Sequence, residues 1–246
     1  MVYIYTVYIT KGGVVLEKKD ALLIEPIAYI KNGYKEKFGV PRQSGLAPSV
    51  KSVIEFCPEY RDENCIRDIE QYSHLWLLWG FSKNENQWSP TVRPPRLGGN
   101  KRVGVFATRS PFRPNPIGLS CVKLLGLEKT ENQGIALKVC GADLMNGTPI
   151  YDIKPYIRYA DSRPDARCGY VDSLSDDRLS VNVPSSLAEK WSDRIDIPAL
   201  IQVLELDPRP SYQNDPDRVY GMKFMDYDVR FTVDGNVLSV IDLVSL

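Results

Sequence analysis

The chain has 246 residues, with 31 lysines plus arginines against 31 aspartates plus glutamates and a formal net charge of zero. This length allows one large or two small domains, and the balanced charge argues against a generally basic nucleic-acid binder. The single histidine, His74, excludes zinc sites with two or more histidine ligands. The five cysteines form no CxxC pair, so we expect neither a metal nor a disulfide framework.

Apolar runs in this sequence are short. Nothing approaches the roughly 20 consecutive apolar residues that a membrane-spanning helix needs. The first residues also lack the basic start and long apolar run of a signal peptide. We therefore expect a cytoplasmic protein with no membrane partner.

The predicted elements are mostly strands. Residues 1–23 are interpreted as an N-terminal extension, and the β pattern begins at Ile24. Apolar runs and alternation predict strands over 24–30, 75–81, 103–109, 118–127, 135–144 and 151–157. Helices are predicted over 62–72, 185–191 and 198–206, and a hairpin over 228–233 and 237–244.

These elements predict two domains. Many strands at short spacing indicate a mainly β fold, a barrel or a sandwich, over 24–175. Two helices and a hairpin indicate a small α+β C-terminal domain over 180–246.

Charge is unevenly distributed along the chain. No acidic residue occurs between Glu85 and Glu128. This stretch contains seven cations: Arg93, Arg96, Lys101, Arg102, Arg109, Arg113 and Lys123. An acid-free basic segment in a neutral chain suits a local phosphate-binding patch. The alternative is a solvated face whose acidic residues come from elsewhere in the fold, and charge alone does not decide between them.

Two proline-rich segments also indicate function. Residues 93–100 place two arginines on a stiff loop, where they could hold a phosphate or a carboxylate, although a long connection between strands is the structural alternative. Residues 107–118 follow a predicted strand and contain three prolines in six positions. Rigidity of this kind lowers the ordering cost of binding, which favours a functional loop around Arg109. Asp143, at a strand end, could accept ribose hydroxyls or cap a turn.

Five segments together resemble one protein family. The strings PRQSG, SHLWLLWGF, PTVRPPRLGGNKRVGVFATRSPFRPNPIGLS, DLMNGTPIYDIKPY and DPRPSY occur in this order. Their order and spacing are similar to those of TrmO, a family also called TsaA-like or YaeB. The resemblance covers residues 24 to about 246 and leaves out 1–23.

The resemblance implies a β-barrel methyltransferase domain that binds S-adenosylmethionine and works as a homodimer. It implies methylation of N6 of threonylcarbamoyladenosine, next to the anticodon of threonine tRNA. A cofactor held in this way also explains why the sequence has no GxGxxG motif.

The resemblance also implies site residues. Cofactor contacts are expected at Pro41, Arg42, Gln43, Ser82, Lys83, Arg109, Leu119, Cys140, Gly141, Ala142 and Asp143. Ser82-Lys83 departs from the polar pair of some relatives. In the C-terminal domain, Arg209, Tyr212 and Tyr220 are expected to hold the anticodon loop. The basic segment supplies the predicted phosphate contacts Arg93, Arg96, Lys101, Arg102 and Arg113.

Methyl transfer from a sulfonium requires alignment and a dry site, and removal of the proton on N6 would assist it. Asp143, Asp152 or Tyr151 could accept that proton, as could His74 if it lies close; a mechanism without a base is the alternative. We expect one of Arg42 and Arg109 to hold the cofactor's carboxylate and the other to contact substrate. Two alternative functions remain: a non-catalytic RNA-binding β module, and a methyltransferase that acts on another substrate.

Overall fold

The computed structural model describes residues 22–84, 88–130, 134–174, 178–209 and 215–246. Residues 1–21, most of the predicted N-terminal extension, lie outside the described residues. Twelve strands are present in the described chain: β1 Ala28–Lys31, β2 Lys51–Phe56, β3 His74–Gly80, β4 Thr91–Val92, β5 Val103–Gly104, β6 Ile117–Thr130, β7 Gly134–Cys140, β8 Pro149–Pro155, β9 Ser180–Asn182, β10 Tyr220–Phe224, β11 Tyr227–Asp234 and β12 Val237–Ser245. The α-helices are α1 Arg158–Asp161, α2 Ser185–Trp191 and α3 Ile197–Glu205.

Six strands form the larger sheet. Their order is β1-β2-β7-β6-β3-β8, every neighbouring pair is antiparallel, and β8 pairs back to β1, so that the sheet closes on itself. Successive residues of a strand point to opposite faces. In β3, Leu75, Leu77 and Trp79 are accordingly buried in the interior. The predicted mainly β class is confirmed.

Three connections leave the barrel at the same end. Gly80 faces Ile117 and Lys51 faces Cys140 across their ladders. The end of β3, the start of β6, the start of β2 and the end of β7 therefore lie together. The β1–β2, β3–β6 and β7–β8 connections, residues 32–50, 81–116 and 141–148, meet at this end of the barrel.

The second sheet has the order β10-β11-β12-β9 and packs against α2 and α3. Its core includes Leu200 and Leu204 of α3 and Phe231 of β11. Tyr34, Ala47 and Val50, from the β1–β2 connection, are buried in the same core. Tyr34 also forms a β-bridge with Phe224. The C-terminal sheet is thus attached to the barrel end where the three connections meet.

Two predicted elements are wrong. The helix over 62–72 is replaced by 3-10 turns over Glu63–Ile66 and Ile69–Gln71. Asp68 between them adopts a left-handed φ of 64°, which no continuous helix accommodates. The strand over 103–109 ends at Gly104, because its partner is the two-residue β4. Pro90 and Pro94 flank β4 and lack the N–H groups that a longer ladder needs.

In the described part of the chain, no helix combines the length and apolar character needed to cross a membrane.

Candidate functional site

The candidate site lies where β6 changes neighbours. This strand pairs with β3 over Ile117–Lys123 and with β7 only from Lys123 onwards. Within the described residues, the first half of β6 therefore has one edge without a strand partner. At Cys140 β7 ends, and the chain turns through Gly141, whose φ is +75°. The backbone groups along this free edge of β6 are left for another segment to cover.

That segment is the 41–45 loop, Pro41-Arg42-Gln43-Ser44-Gly45. The Cys121 N–H donates to Ser44 Oγ at 3.2 Å, which satisfies one donor of the β6 edge. The Gly45 N–H donates to the Gly141 carbonyl at 2.8 Å. A Cβ at Gly141 would lie 3.3 Å from Gly45 Cα, so glycine permits this close approach. The loop is thereby fixed to both β6 and the β7–β8 connection.

Two predicted arginines connect this loop to other parts of the chain, one from outside the loop and one from within it. Arg109 Nη1 donates to Gln43 Oε1, which joins the proline-rich β3–β6 connection to the loop. Arg42 Nη2 donates to the Asp207 carbonyl at 3.5 Å, in the segment after α3. The structure thus brings Gln43 and Arg109 into contact, whereas the side chain of the neighbouring Arg42 contacts Asp207; both contacts are exposed.

Asp143 is reached from inside the barrel. Trp79 Nε1 lies 2.9 Å from Ser120 Oγ, and Ser120 Oγ lies 2.5 Å from Asp143 Oδ1. An indole N–H can only donate. Ser120 therefore accepts from Trp79 and donates its own hydrogen to Asp143, which gives a hydrogen-bond chain with one direction. Sequence analysis missed Ser120, Trp79 and Ser44; alternation of β6 places Ser120 inward, but gives no hint of its partners.

Burial raises the pKa of the Asp143 carboxyl above its ordinary value. Four favourable contacts oppose this shift: the Ser120 hydroxyl, the residue's own backbone, the charge of Arg109 and the backbone of Ser44. Burial outweighs them, so the carboxylate holds a proton more readily than an exposed one does. Burial, followed by the Asp143 charge, raises the pKa of the adjacent Tyr34 as well. A carboxylate with a raised pKa suits proton acceptance.

The other catalytic candidates occupy three different positions, and Tyr151 is the one that packs beside Gly80, at the site end of β3. Asp152 faces Leu78 on the outer side of the barrel, and its carboxylate pairs with Lys154 Nζ at 2.7 Å. Tyr151 lies at the irregularity where β8 shifts register against β3. His74 begins β3, at the opposite end from Gly80, with Ser73 Oγ 2.9 Å from its Nδ1.

The remaining predicted cofactor residues occupy different positions. Cys140 and Ala142 are buried on either side of Gly141. Leu119 faces Leu78 on the outer side of the barrel and is 51% exposed, so it points away from the Ser120 side of β6. Ser82 and Lys83 lie just after β3, where the Lys83 carbonyl accepts from Lys37 Nζ at 3.2 Å.

The predicted phosphate contacts separate into two groups. The β3–β6 connection carries Arg93, Arg96, Lys101 and Arg102 at exposed positions. Arg113 is partly buried instead, and its Nη1 donates to the Thr108 carbonyl at 3.1 Å, so it stabilises its own loop. The same connection exposes three aromatic side chains that sequence analysis missed: Trp88 at 57%, Phe106 at 78% and Phe112 at 46%.

In the C-terminal domain, the side chains of two predicted RNA contacts are buried and interact with other residues of the protein. The Arg209 side chain is 8% exposed and forms an ion pair with Asp207, with Nε 2.9 Å from Oδ1. Tyr220 is buried and stacked on Phe231, with centroids 5.6 Å apart. Tyr212 lies outside the described residues. Direct RNA contact by these residues stays a prediction.

Within the described ranges, no group of three or more histidine, cysteine, aspartate or glutamate side chains could hold a metal ion.

Comparison with known families matches both parts of the chain. The family model for the tRNA-methyltransferase O N-terminal domain matches residues 29–162, and that for the TrmO C-terminal domain matches 178–246. The chain belongs to the TrmO family. The family predicted from the sequence motifs is thus confirmed. Both TrmO domains contact the 41–45 loop region, the barrel through Gly141 and the C-terminal part through Asp207.

Individual TrmO relatives agree. A tRNA (adenine(37)-N6)-methyltransferase of Escherichia coli (strain K12) is 41% identical over 218 residues, covering 85% of this chain and 92% of the relative. A Pseudomonas aeruginosa chain named putative S-adenosylmethionine-dependent methyltransferase RcsF is 41% identical over 224 residues, covering 85% and 91%. A crystal structure of TrmO from Pseudomonas aeruginosa is 33% identical, with a TM-score of 0.75, covering 92% of this chain and 100% of that chain.

Replacing Ser120 by alanine should move the acid limb of the pH profile of kcat/KM to higher pH. The Ser120 hydroxyl stabilises the ionised Asp143 and lowers its pKa, so its loss raises that pKa further, and less carboxylate is ionised at a given pH. Steady-state rates measured across pH test this expectation. The control is Ser52→Ala, at a serine that is also buried, in β2. Superimposable profiles for wild type and Ser120→Ala would contradict the assignment.

Replacing Gly141 by alanine should lower stability and weaken S-adenosylmethionine binding. A left-handed alanine costs about 1–2 kcal/mol, and its Cβ also presses on Gly45. Gly147→Ala is the matched control, since Gly147 has a φ of +77° but no atom lies within 4 Å of the place where its Cβ would stand. Urea unfolding and titration calorimetry measure both effects. Equal cofactor affinity in the two variants would show that the loop contact is irrelevant to binding.

Proposed function

We propose that this protein transfers the methyl group of S-adenosylmethionine to N6 of threonylcarbamoyladenosine, next to the anticodon of threonine tRNA. The enzyme class, an S-adenosylmethionine-dependent tRNA methyltransferase, and the cofactor predicted from the sequence are confirmed by the family and by the relatives. The relatives' names give the position as adenine 37. The observation that carries the detailed proposal is the meeting of the 41–45 loop, Arg109 and Asp143 at one barrel end.

The residues at this end fit the chemical groups of the cofactor. S-adenosylmethionine has a carboxylate, an ammonium, a ribose and an adenine around its sulfonium. We assign the carboxylate to Arg109, because a guanidinium forms bidentate hydrogen bonds to such a group. The 41–45 loop and the turn from Cys140 to Asp143 supply backbone donors and acceptors for the adenosine part. Arg42, whose exposed side chain contacts the Asp207 carbonyl, is assigned to the substrate.

Asp143 is assigned the role of proton acceptor. When bound, S-adenosylmethionine supplies an electrophilic methyl group. On transfer, the bond between the methyl carbon and sulfur would break as the bond to N6 forms, the neutral thioether would leave as S-adenosylhomocysteine, and the proton of N6 would pass to the Asp143 carboxylate. Ser120 and Trp79 keep the carboxylate oriented, and burial raises its pKa towards the range in which it accepts a proton effectively.

The β3–β6 connection is assigned to the anticodon loop of the tRNA. Its exposed cations complement phosphates, and its exposed aromatic rings offer surfaces on which unpaired bases stack. A base in a single-stranded loop is recognised largely through such stacking. Trp88, Phe106 and Phe112 therefore join the cationic residues as proposed RNA contacts.

The roles of the two domains and the oligomeric state are assigned from the resemblance to the TrmO family. We assign catalysis to residues 24–175 and an additional tRNA contact to 180–246, in a homodimer that works in the cytoplasm.

Ile117 and Leu119 on the outer face of β6 are 40% and 51% exposed. A two-fold contact over these side chains would bury them, as symmetric interfaces commonly do. Sedimentation equilibrium of wild type and Leu119→Asp tests this part: loss of the dimer in the variant is expected.

Nucleoside mass spectrometry tests the function as a whole. In tRNA from a deletion strain, N6-methylated threonylcarbamoyladenosine should be absent, and it should return when this gene is supplied. Return of a methyl group on a different nucleoside would keep the enzyme class and refute the substrate. Calorimetric titration with S-adenosylmethionine that gives no binding heat would instead favour a non-catalytic RNA-binding module.

Reversing Arg93 and Lys101 to glutamate should flatten the salt dependence of tRNA binding. Each lost phosphate contact lowers the slope of log K against log salt by roughly 0.7–0.9 in magnitude. Filter binding at several salt concentrations gives the slope. Arg67→Glu with Lys129→Glu is the control, because it changes the net charge equally at the other barrel end. If both double variants give the wild-type slope, the RNA surface lies elsewhere.

A further inference from the structure

Helix α3 of the C-terminal domain makes a second set of contacts with the β1–β2 connection. The Ser49 N–H donates to Gln202 Oε1 at 2.8 Å across 153 residues of sequence, in a partly buried setting. Just beyond the end of this helix, the Asp207 carbonyl accepts from Arg42 at 3.5 Å. The 41–45 loop and the residues after it are therefore held between the barrel and α3.

Side-chain packing reinforces this attachment. Ala47 and Val50, on both sides of Ser49, are 1% exposed and belong to the C-terminal core. Leu200 and Val203 flank Gln202 on α3 and belong to the same core. The polar contact between Ser49 and Gln202 is thus partly buried at the edge of this apolar core, where loss of the acceptor is costly.

The end of α3 is also fixed. Asp207 adopts a left-handed φ of 49°, and its N–H donates to the Leu204 carbonyl at 3.1 Å, which caps the helix. Its carboxylate holds Arg209 through Nε and Nη2 at 2.9 and 3.0 Å. Because both the backbone and the side chain of Asp207 are constrained, its carbonyl is presented to Arg42 in a defined direction.

We propose that α3 positions the 41–45 loop for cofactor binding, with Gln202 as the positioning residue that fixes the Ser49 end. This inference rests on the cofactor role proposed for that loop. The C-terminal domain then has a function in cofactor binding that is separate from any contact with tRNA. Gln202 touches neither substrate nor cofactor; it acts through Ser49 and the loop.

The expected effect follows from the fraction of molecules in which the loop is ordered. Without the Gln202 oxygen, the partly buried Ser49 N–H loses its acceptor. The ordered conformation of the loop then competes with other loop conformations in which this N–H is bonded to water. The apparent Kd for a ligand rises in inverse proportion to the binding-competent fraction. A competent fraction of about one tenth gives an approximately tenfold weaker cofactor affinity.

The test compares three variants of the full-length protein. Gln202→Met keeps the side-chain length but removes the oxygen, and should raise the Kd for S-adenosylmethionine about tenfold. Gln202→Glu keeps an oxygen acceptor, and should restore affinity to within about threefold of wild type. Glu205→Gln lies on the same helix and weakens only the ion pair with Arg178, at 3.4 Å, so its cofactor affinity should match wild type. Calorimetry supplies the three constants.

Further measurements separate positioning from general damage. In Gln202→Met, the KM for tRNA and the kcat at saturating cofactor should stay at wild-type values, and hydrogen exchange at the Ser49 amide should accelerate. Equal cofactor affinity in Gln202→Met and wild type would overturn the inference. So would equal losses in Gln202→Met and Gln202→Glu, or a rise in the KM for tRNA measured at saturating cofactor, where the bound cofactor keeps the loop ordered. Failure of wild type to bind S-adenosylmethionine would instead refute the proposed function.

Discussion

The candidate site depends on how the backbone groups at the edge of β6 are satisfied. A strand that leaves one neighbour before it joins the next exposes N–H and C=O groups, and such groups are costly to bury without partners. The 41–45 loop supplies an acceptor for one of these donors, the Cys121 N–H, through Ser44 Oγ, and it is also bonded to the Gly141 carbonyl through the Gly45 N–H. In doing so it occupies the position where strand ends, proline-rich connections and the C-terminal domain meet. The same hydrogen bonds therefore hold together the groups of the candidate site at this end of the barrel.

Opposing effects act on the ionisation of the Asp143 carboxylate at this site. Burial disfavours its charge, whereas the Ser120 hydroxyl, the backbone and the Arg109 guanidinium favour it. Because burial wins, the pKa is raised, and the group combines a fixed orientation with a readiness to take up a proton. The orientation comes from Trp79, whose indole N–H can only donate. A hydrophobic barrel strand thus contributes directly to the electrostatics of the site.

Both domains make contacts with the segment from the 41–45 loop to Val50. Ala47 and Val50 are part of the C-terminal core, while Gly45 and Ser44 bond to the barrel side. Neither set of contacts alone would fix the whole stretch from Pro41 to Ser49. Because the connection is direct packing and hydrogen bonding, a change in one domain can be transmitted through this loop to the other domain.

The sequence by itself determined the family, the mainly β class and the segments that form the barrel end. Its motifs lie in the connections: the proline-rich composition indicated the loop around Arg109, whereas Arg42 and Gln43 were predicted from the family resemblance. Strand β2 was missed and a helix was wrongly predicted over 62–72, because short alternation is ambiguous and the left-handed Asp68 has no local signature. Only tertiary structure could decide that Asp152 faces outward, that Arg209 is buried against Asp207, and that Ser120 and Gln202 matter. Those outcomes depend on strand register, barrel closure and contacts between distant parts of the chain, which no local pattern encodes.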